Sequence, residues 1–96
     1  MANRFEQVDE VVGDAITIVI EQRADGQWAK VYCPRTAHPS LNADRISESV
    51  PPKDALSGAM RLANELKLAI VVVDPNGLWK KEWGELYRWK DDAEGE

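Results

Sequence analysis

Ninety-six residues are enough for one hydrophobic core and too few for two, and 44% hydrophobic with 30% charged residues is a globular composition that excludes global disorder. Seventeen acids against twelve Lys and Arg leave a net charge of -5, a field that repels phosphate backbones and anionic surfaces and so disfavours nucleic acid and membrane partners. Four of those acids, Asp91, Asp92, Glu94 and Glu96, fall in the last six residues, which divides the chain into one α+β domain over 1–90 and an acidic, disordered tail over 91–96.

Cys33 is the only cysteine, so an intramolecular disulfide is impossible, a multi-thiolate metal site is excluded, and a reducing compartment fits. The first six residues lack a signal peptide's basic start and apolar run, and the longest apolar run, 68–73, is far too short to span a bilayer. A cytoplasmic location is the expectation.

Phe5, Val8 and Val12 recur at helical spacing, with Asn3 and Glu6 placed as a capping box and Gly13 as a terminator, so a short helix is expected over 3–12. Residues 15–22 alternate Ile16, Ile18 and Ile20 against Thr17, Val19 and Glu21, and residues 28–33 alternate likewise; both read as strands. The Asp25-Gly26 pair between them predicts an antiparallel hairpin. With those two residues as the turn, Ile20 faces Val31, Ile18 faces Cys33, Glu21 meets Lys30 and Arg23 meets Trp28. If Ala24 joins a three-residue loop, the register slips by one and Trp28 and Tyr32 move to the Ile face. The first register is preferred because it keeps the core side apolar.

Residues 34–52 hold four prolines among nineteen positions and read as loop, unless 45–50 supplies a short edge strand. Such a loop is a natural binding segment or lid. Pro52 suits the first turn of a helix that runs to about Lys67, in which Leu56, Ala59, Met60, Ala63 and Lys67 recur at steps of three and four and Ala55, Leu62 and Leu66 widen the stripe. Its small residues, Gly58, Ala59 and Ala63, are expected to allow close approach to a sheet. Residues 69–73 follow as a strand buried on both faces, and Asp74-Pro75-Asn76-Gly77 as a turn. Trp79, Trp83, Leu86 and Tyr87 then recur near steps of three and four, which predicts a C-terminal amphipathic helix despite Gly84. The expected architecture is an α+β two-layer sandwich: an antiparallel hairpin plus a third strand covered by a central helix, with that C-terminal helix added.

Cys33, His38 and Asp44 are the residue types of nucleophilic catalysis, but Cys33 lies on the predicted core face, where a thiol acts as a small hydrophobe. His38 with Asp44 or Glu48 falls short of the four ligands of structural zinc, and the six glycines are scattered without a phosphate-binding loop. Neither a catalytic residue, a cofactor nor a metal is therefore assigned. Four tryptophans are many for this length: Trp79 and Trp83 read first as filling on the far sheet face, while Trp83, Tyr87, Arg88 and Trp89 form the candidate interface. Tyr32, Arg35, His38 and Asp44 form the candidate loop site. Arg35, Arg45, Lys53 and Arg61 beside Trp28 or Tyr32 would suit single-stranded RNA, against the sign of the net charge.

An Asp-Gly hairpin, a Pro-containing exit and an alanine-rich helix, over roughly residues 15–66, resemble the small antitoxins of the HicB type, which have a partial ribonuclease-H-like fold. No functional residue is carried over from that resemblance, since fold analogy does not transmit function. The leading expectation is a non-enzymatic protein-interaction or regulatory module with a protein partner or self-association. A small ligand-binding or enzymatic domain that uses loop 34–52, and an antitoxin-like or RNA-binding domain, are its rivals.

Overall fold

A computed structural model describes residues 4–87. They form an α+β fold in which one six-stranded mixed sheet, in the order β4-β3-β2-β5-β1-β6, carries a single α-helix. The strands are β1 (Arg4–Val8), β2 (Ile16–Arg23), β3 (Gly26–Cys33), β4 (Arg45–Ile46), β5 (Ile70–Val73) and β6 (Glu85–Tyr87), and the helix α1 is Pro52–Leu66.

The β-branched alternation of β2 places Ile16, Ile18 and Ile20 on one side, all 2% exposed or less. Parallel pairing with β5 sets Ile18 beside Val72, and antiparallel pairing with β3 sets Ile18 beside Val31 and Ile20 beside Ala29. Since paired residues share a face, Val72, Ala29 and Cys33 join the isoleucines, and Ala55, Leu56, Ala59 and Ala63 of α1 close over them. Alanines at the contact let the helix lie close to the strands. Each isoleucine so buried contributes roughly 1.5–3 kcal/mol.

Pro52 opens α1 where its missing N–H is harmless, and the Pro51 carbonyl accepts from Asp54 N and Ala55 N. Lys67, with φ 60°, ends the helix in the left-handed region, and both its amide and that of Leu68 donate to the Ala63 carbonyl.

The hairpin pairs antiparallel and keeps the expected inward residues, but its register differs from both alternatives. Arg23 pairs with Gly26, so Ala24 and Asp25 make the turn; Glu21 meets Trp28, Val19 meets Lys30 and Thr17 meets Tyr32. Gly26 takes the positive φ of 132° as the first residue of the return strand, a position that frees the two turn residues from needing it. Asp25 Oδ1 accepts from the Trp28 indole N–H at 2.9 Å and ties the turn to β3.

The helix expected over 3–12 is instead β1, parallel to both β5 and β6. A segment this short gains little as a lone helix, whereas a slot between two strands satisfies its backbone on both sides. Residues 9–15 then cross back to start β2 on the face opposite α1, where Val12 N donates to the buried Thr17 hydroxyl at 3.3 Å.

The C-terminal helix expected from the spacing of Trp79, Trp83 and Tyr87 is also replaced. A short 3-10 turn, Lys81–Trp83, and Gly84 at φ 132° lead into β6. Asp74, only 4% exposed, holds this crossover: its Oδ1 accepts from Leu78 N and its Oδ2 from Trp79 N, both at 2.9 Å. Trp79 stacks edge-on to Phe5 at 5.6 Å and to Trp83 at 5.3 Å, and its indole N–H donates to the Gly84 carbonyl. The spacing of the two tryptophans thus records a chain of rings, Trp83 against Trp79 and Trp79 against Phe5. They pack on the helix-bearing side of the sheet, and the reading that put them on its far face is corrected.

Two substitutions test this ordering. Ile18→Ala should lower unfolding free energy by roughly 2–5 kcal/mol in urea titration. Asp74→Ala should cost about 1–3 kcal/mol by orphaning two amides. A loss under a few tenths for Asp74→Ala would show that the crossover does not depend on its carboxylate.

Candidate functional site

Loop 34–52 is tied to the sheet at several points. A 3-10 turn, Arg35–Ala37, is braced by Asp44 Oδ1, which accepts from Arg35 N at 2.9 Å, and by Thr36 Oγ1, which donates to the Gly13 carbonyl at 2.6 Å. Arg45 and Ile46 pair with Cys33 and Tyr32; the Ser47 hydroxyl then takes the Val31 N–H, and Val50 bridges to Ala29. The edge strand allowed for within 45–50 is therefore present, short and interrupted at Ser47.

The four loop-site residues do not converge on one point. Arg35 and Asp44 meet through a backbone amide, His38 Nδ1 accepts from Ser40 N at 3.1 Å and lies 2.7 Å from the Ser40 hydroxyl, and Tyr32 stands on the sheet face away from α1. Of the candidate interface, Trp83 is half-buried against the core, with Lys80 Nζ over its ring at 5.7 Å. Tyr87 lies in β6 beneath the Arg4 guanidinium, 4.7 Å from its ring centre. Arg88 and Trp89 fall outside the described residues, as does the tail over 91–96.

Cys33 is 1% exposed on the core face. Burial pushes its thiol above the range of an exposed cysteine, and the positive charge of Arg45 on the neighbouring strand offsets part of that shift. A thiol kept protonated among apolar neighbours suits packing, not nucleophilic attack. No cluster of three or more His, Cys, Asp or Glu side chains able to hold a metal occurs among the described residues. No helix among them is long and apolar enough to cross a membrane.

Two surfaces stand out. The first is the sheet face opposite α1 over β2, β3 and β4, where register places Val19, Glu21, Trp28, Lys30, Tyr32 and Ile46 together. Ile46 is 59% exposed, a large value for a branched aliphatic side chain. The second is a groove of about 410 Å³ between β4 and α1, with Val31, Cys33, Val50 and Leu62 as apolar lining and Arg45, Asp54 and Gly58 along it. Neither the groove nor the hollow of about 570 Å³ beneath the tryptophan crossover is lined by Tyr32, His38 or Asp44.

Gly58, expected with Ala59 and Ala63 to let the helix approach the sheet closely, is instead exposed along this groove, and that expectation is corrected. It lies mid-helix, and nothing comes within 4 Å of where a Cβ would stand. Neither a strained backbone nor close packing within the chain calls for glycine here. The available signal was its cost, about 1 kcal/mol relative to alanine inside a helix.

No protein-family model, no curated protein and no solved structure matches the chain, so the site is read from its own geometry.

Cys33 should resist alkylation in the native protein and react at once on unfolding; rapid native labelling would mean that the thiol is not core. Because its folded pKa is raised, the stability it contributes is complete below the pKa of an unfolded thiol and drains away as pH rises through the folded value. Wild type should therefore lose more stability than Cys33→Ala between neutral and alkaline pH. Gly58→Ala should raise unfolding free energy by about 0.5–1 kcal/mol in urea titration.

Proposed function

We propose that this chain is a non-enzymatic protein-interaction module, regulatory in character, that engages a protein partner through the sheet face opposite α1. In this reading the helix and the tryptophan crossover form one layer and the sheet the other. The carrying observation is that both of these coverings lie on one side, while on the other the 9–15 crossover reaches Thr17, and Val19, Trp28, Tyr32 and Ile46 group beyond it.

The chemistry of that face suits a protein. Trp and Tyr bring large contact area at little entropic cost, and both are enriched where proteins meet. The Asp25 carboxylate already fixes the Trp28 indole, so docking need not order it. Glu21 and Lys30 supply both signs of charge among the apolar groups, which favours a mixed polar surface over a run of phosphates.

The rival in which loop 34–52 acts as a lid needs that loop to open. Its ties to Gly13, Ala29 and Val31 weigh against this. The antitoxin-like rival shares the hairpin and helix and differs in the partner it names.

The test is a double variant, Trp28→Glu with Tyr32→Glu, whose side chains lie outside the core and whose circular dichroism should match wild type. Chromatography of tagged protein with extract from its own cells should show wild type in a larger complex and the variant eluting free. Identical profiles for the two proteins, or a wild-type complex that ribonuclease dissolves, would overturn the reading.

A further inference from the structure

We propose that the groove between β4 and α1 is a self-association site, in which two copies of the chain meet about a twofold axis. It meets the sheet face assigned above to a protein partner only at Ile46, on the rim between the two, and does not rest on that assignment.

The groove carries its own complement. Arg45 stands exposed on the β4 side and Asp54 exposed on the α1 side, and among the described residues neither side chain has an ion-pair partner. An isologous contact brings each patch against an identical one turned by half a rotation, so it suits a surface that holds both a donor charge and an acceptor charge. Arg45 of one copy then reaches Asp54 of the other. Ile46, at 59% exposure on the rim, gives each copy an apolar projection, and the hollow lined by Val31, Val50 and Leu62 gives it a seat for one.

Gly58 makes the same point from the backbone. A helix glycine in ordinary conformation, facing open space, is a standing cost with no return inside the chain. It becomes useful when another body must come close to the helix axis, and the groove it lies along is the place for that body. Sheet extension is not the mode of contact. Strand β4 has only two residues and the ladder breaks where the Ser47 hydroxyl replaces a backbone acceptor, both of which blunt an edge.

Overall charge offers little opposition. Four of the seventeen acids sit in the last six residues, which leaves the rest of the chain close to neutral.

Analytical ultracentrifugation of the full chain over a concentration series tests the proposal. Wild type should show a monomer–dimer equilibrium. Arg45→Asp and Asp54→Arg should each weaken it at least tenfold, and the two together should restore it, because the exchanged charges meet again across the axis. Gly58→Leu should abolish the dimer while circular dichroism and thermal midpoint stay at or above wild type, showing that the fold survives. Trp28→Glu with Tyr32→Glu should leave the dimer intact, so loss of the partner face and loss of this site read out separately. A wild-type chain that stays monomeric at millimolar concentration overturns the proposal. So does a charge exchange that fails to rescue, or a dimer lost with Trp28→Glu and kept with Gly58→Leu. Saturable binding of the apolar dye anilinonaphthalene sulfonate to a monomer, lost in Gly58→Leu, would overturn it in favour of a small-molecule occupant.

Discussion

The parallel ladder between β2 and β5 is the joint on which the molecule turns. It sets Ile16 beside Ile70 and Ile18 beside Val72, and the layer they form is what α1 covers. Each neighbouring element is placed from it: β3 by the hairpin on one flank, β1 by its ladder to β5 on the other, and α1 by being the connection that must return the chain to begin β5. Ile18 and Val72 are both fully buried, so their removal from water drives the assembly and their directionless attraction is given direction by the backbone hydrogen bonds. Remove the ladder and no surface remains for the helix to cover.

Polar groups finish what the core begins. Asp74 spends both carboxylate oxygens on the amides of Leu78 and Trp79, while its own carbonyl accepts from the Gln7 side chain, so one buried residue joins β1, β5 and the crossover. Thr17 does the same on the opposite face with Val12. No buried side-chain nitrogen or oxygen among the described residues lacks a partner, as expected where burial without one costs more than a hydrogen bond returns.

What could be read in advance was whatever is decided locally. Strict alternation in 16–20 and 29–33 marked the hairpin strands and their inward side, Pro52 marked the start of α1, and the valine run marked β5. What escaped was decided by distant partners. The slot that makes 4–8 a strand is built by residues more than sixty positions later, and Trp79 and Trp83 mimic a helical stripe because Trp79 packs on Phe5 and Trp83 on Trp79. The hairpin register moved because Gly26 can use its positive φ after the turn as readily as within it. At the surfaces, Tyr32 was picked out from its strand and aromatic character. Ile46 was not, and Gly58 was assigned to the sheet contact that Ala59 and Ala63 make, since an isoleucine in a polar stretch and a glycine in a helix acquire their place only once the groove between them exists.

The place of β1 has a temporal consequence. It lies between β5 and β6, so Glu6 pairs with Val71 and Arg4 with Glu85, contacts that span most of the chain. On a ribosome β1 is made before either neighbour, since β5 is complete only at Val73 and β6 only at Tyr87. The hairpin can form early from local contacts, but closure of the sheet waits on synthesis, and pairings of such long sequence separation are slow to form. Until then Phe5 has no ring to meet, and the nascent chain displays an unsatisfied strand of the kind that chaperones hold.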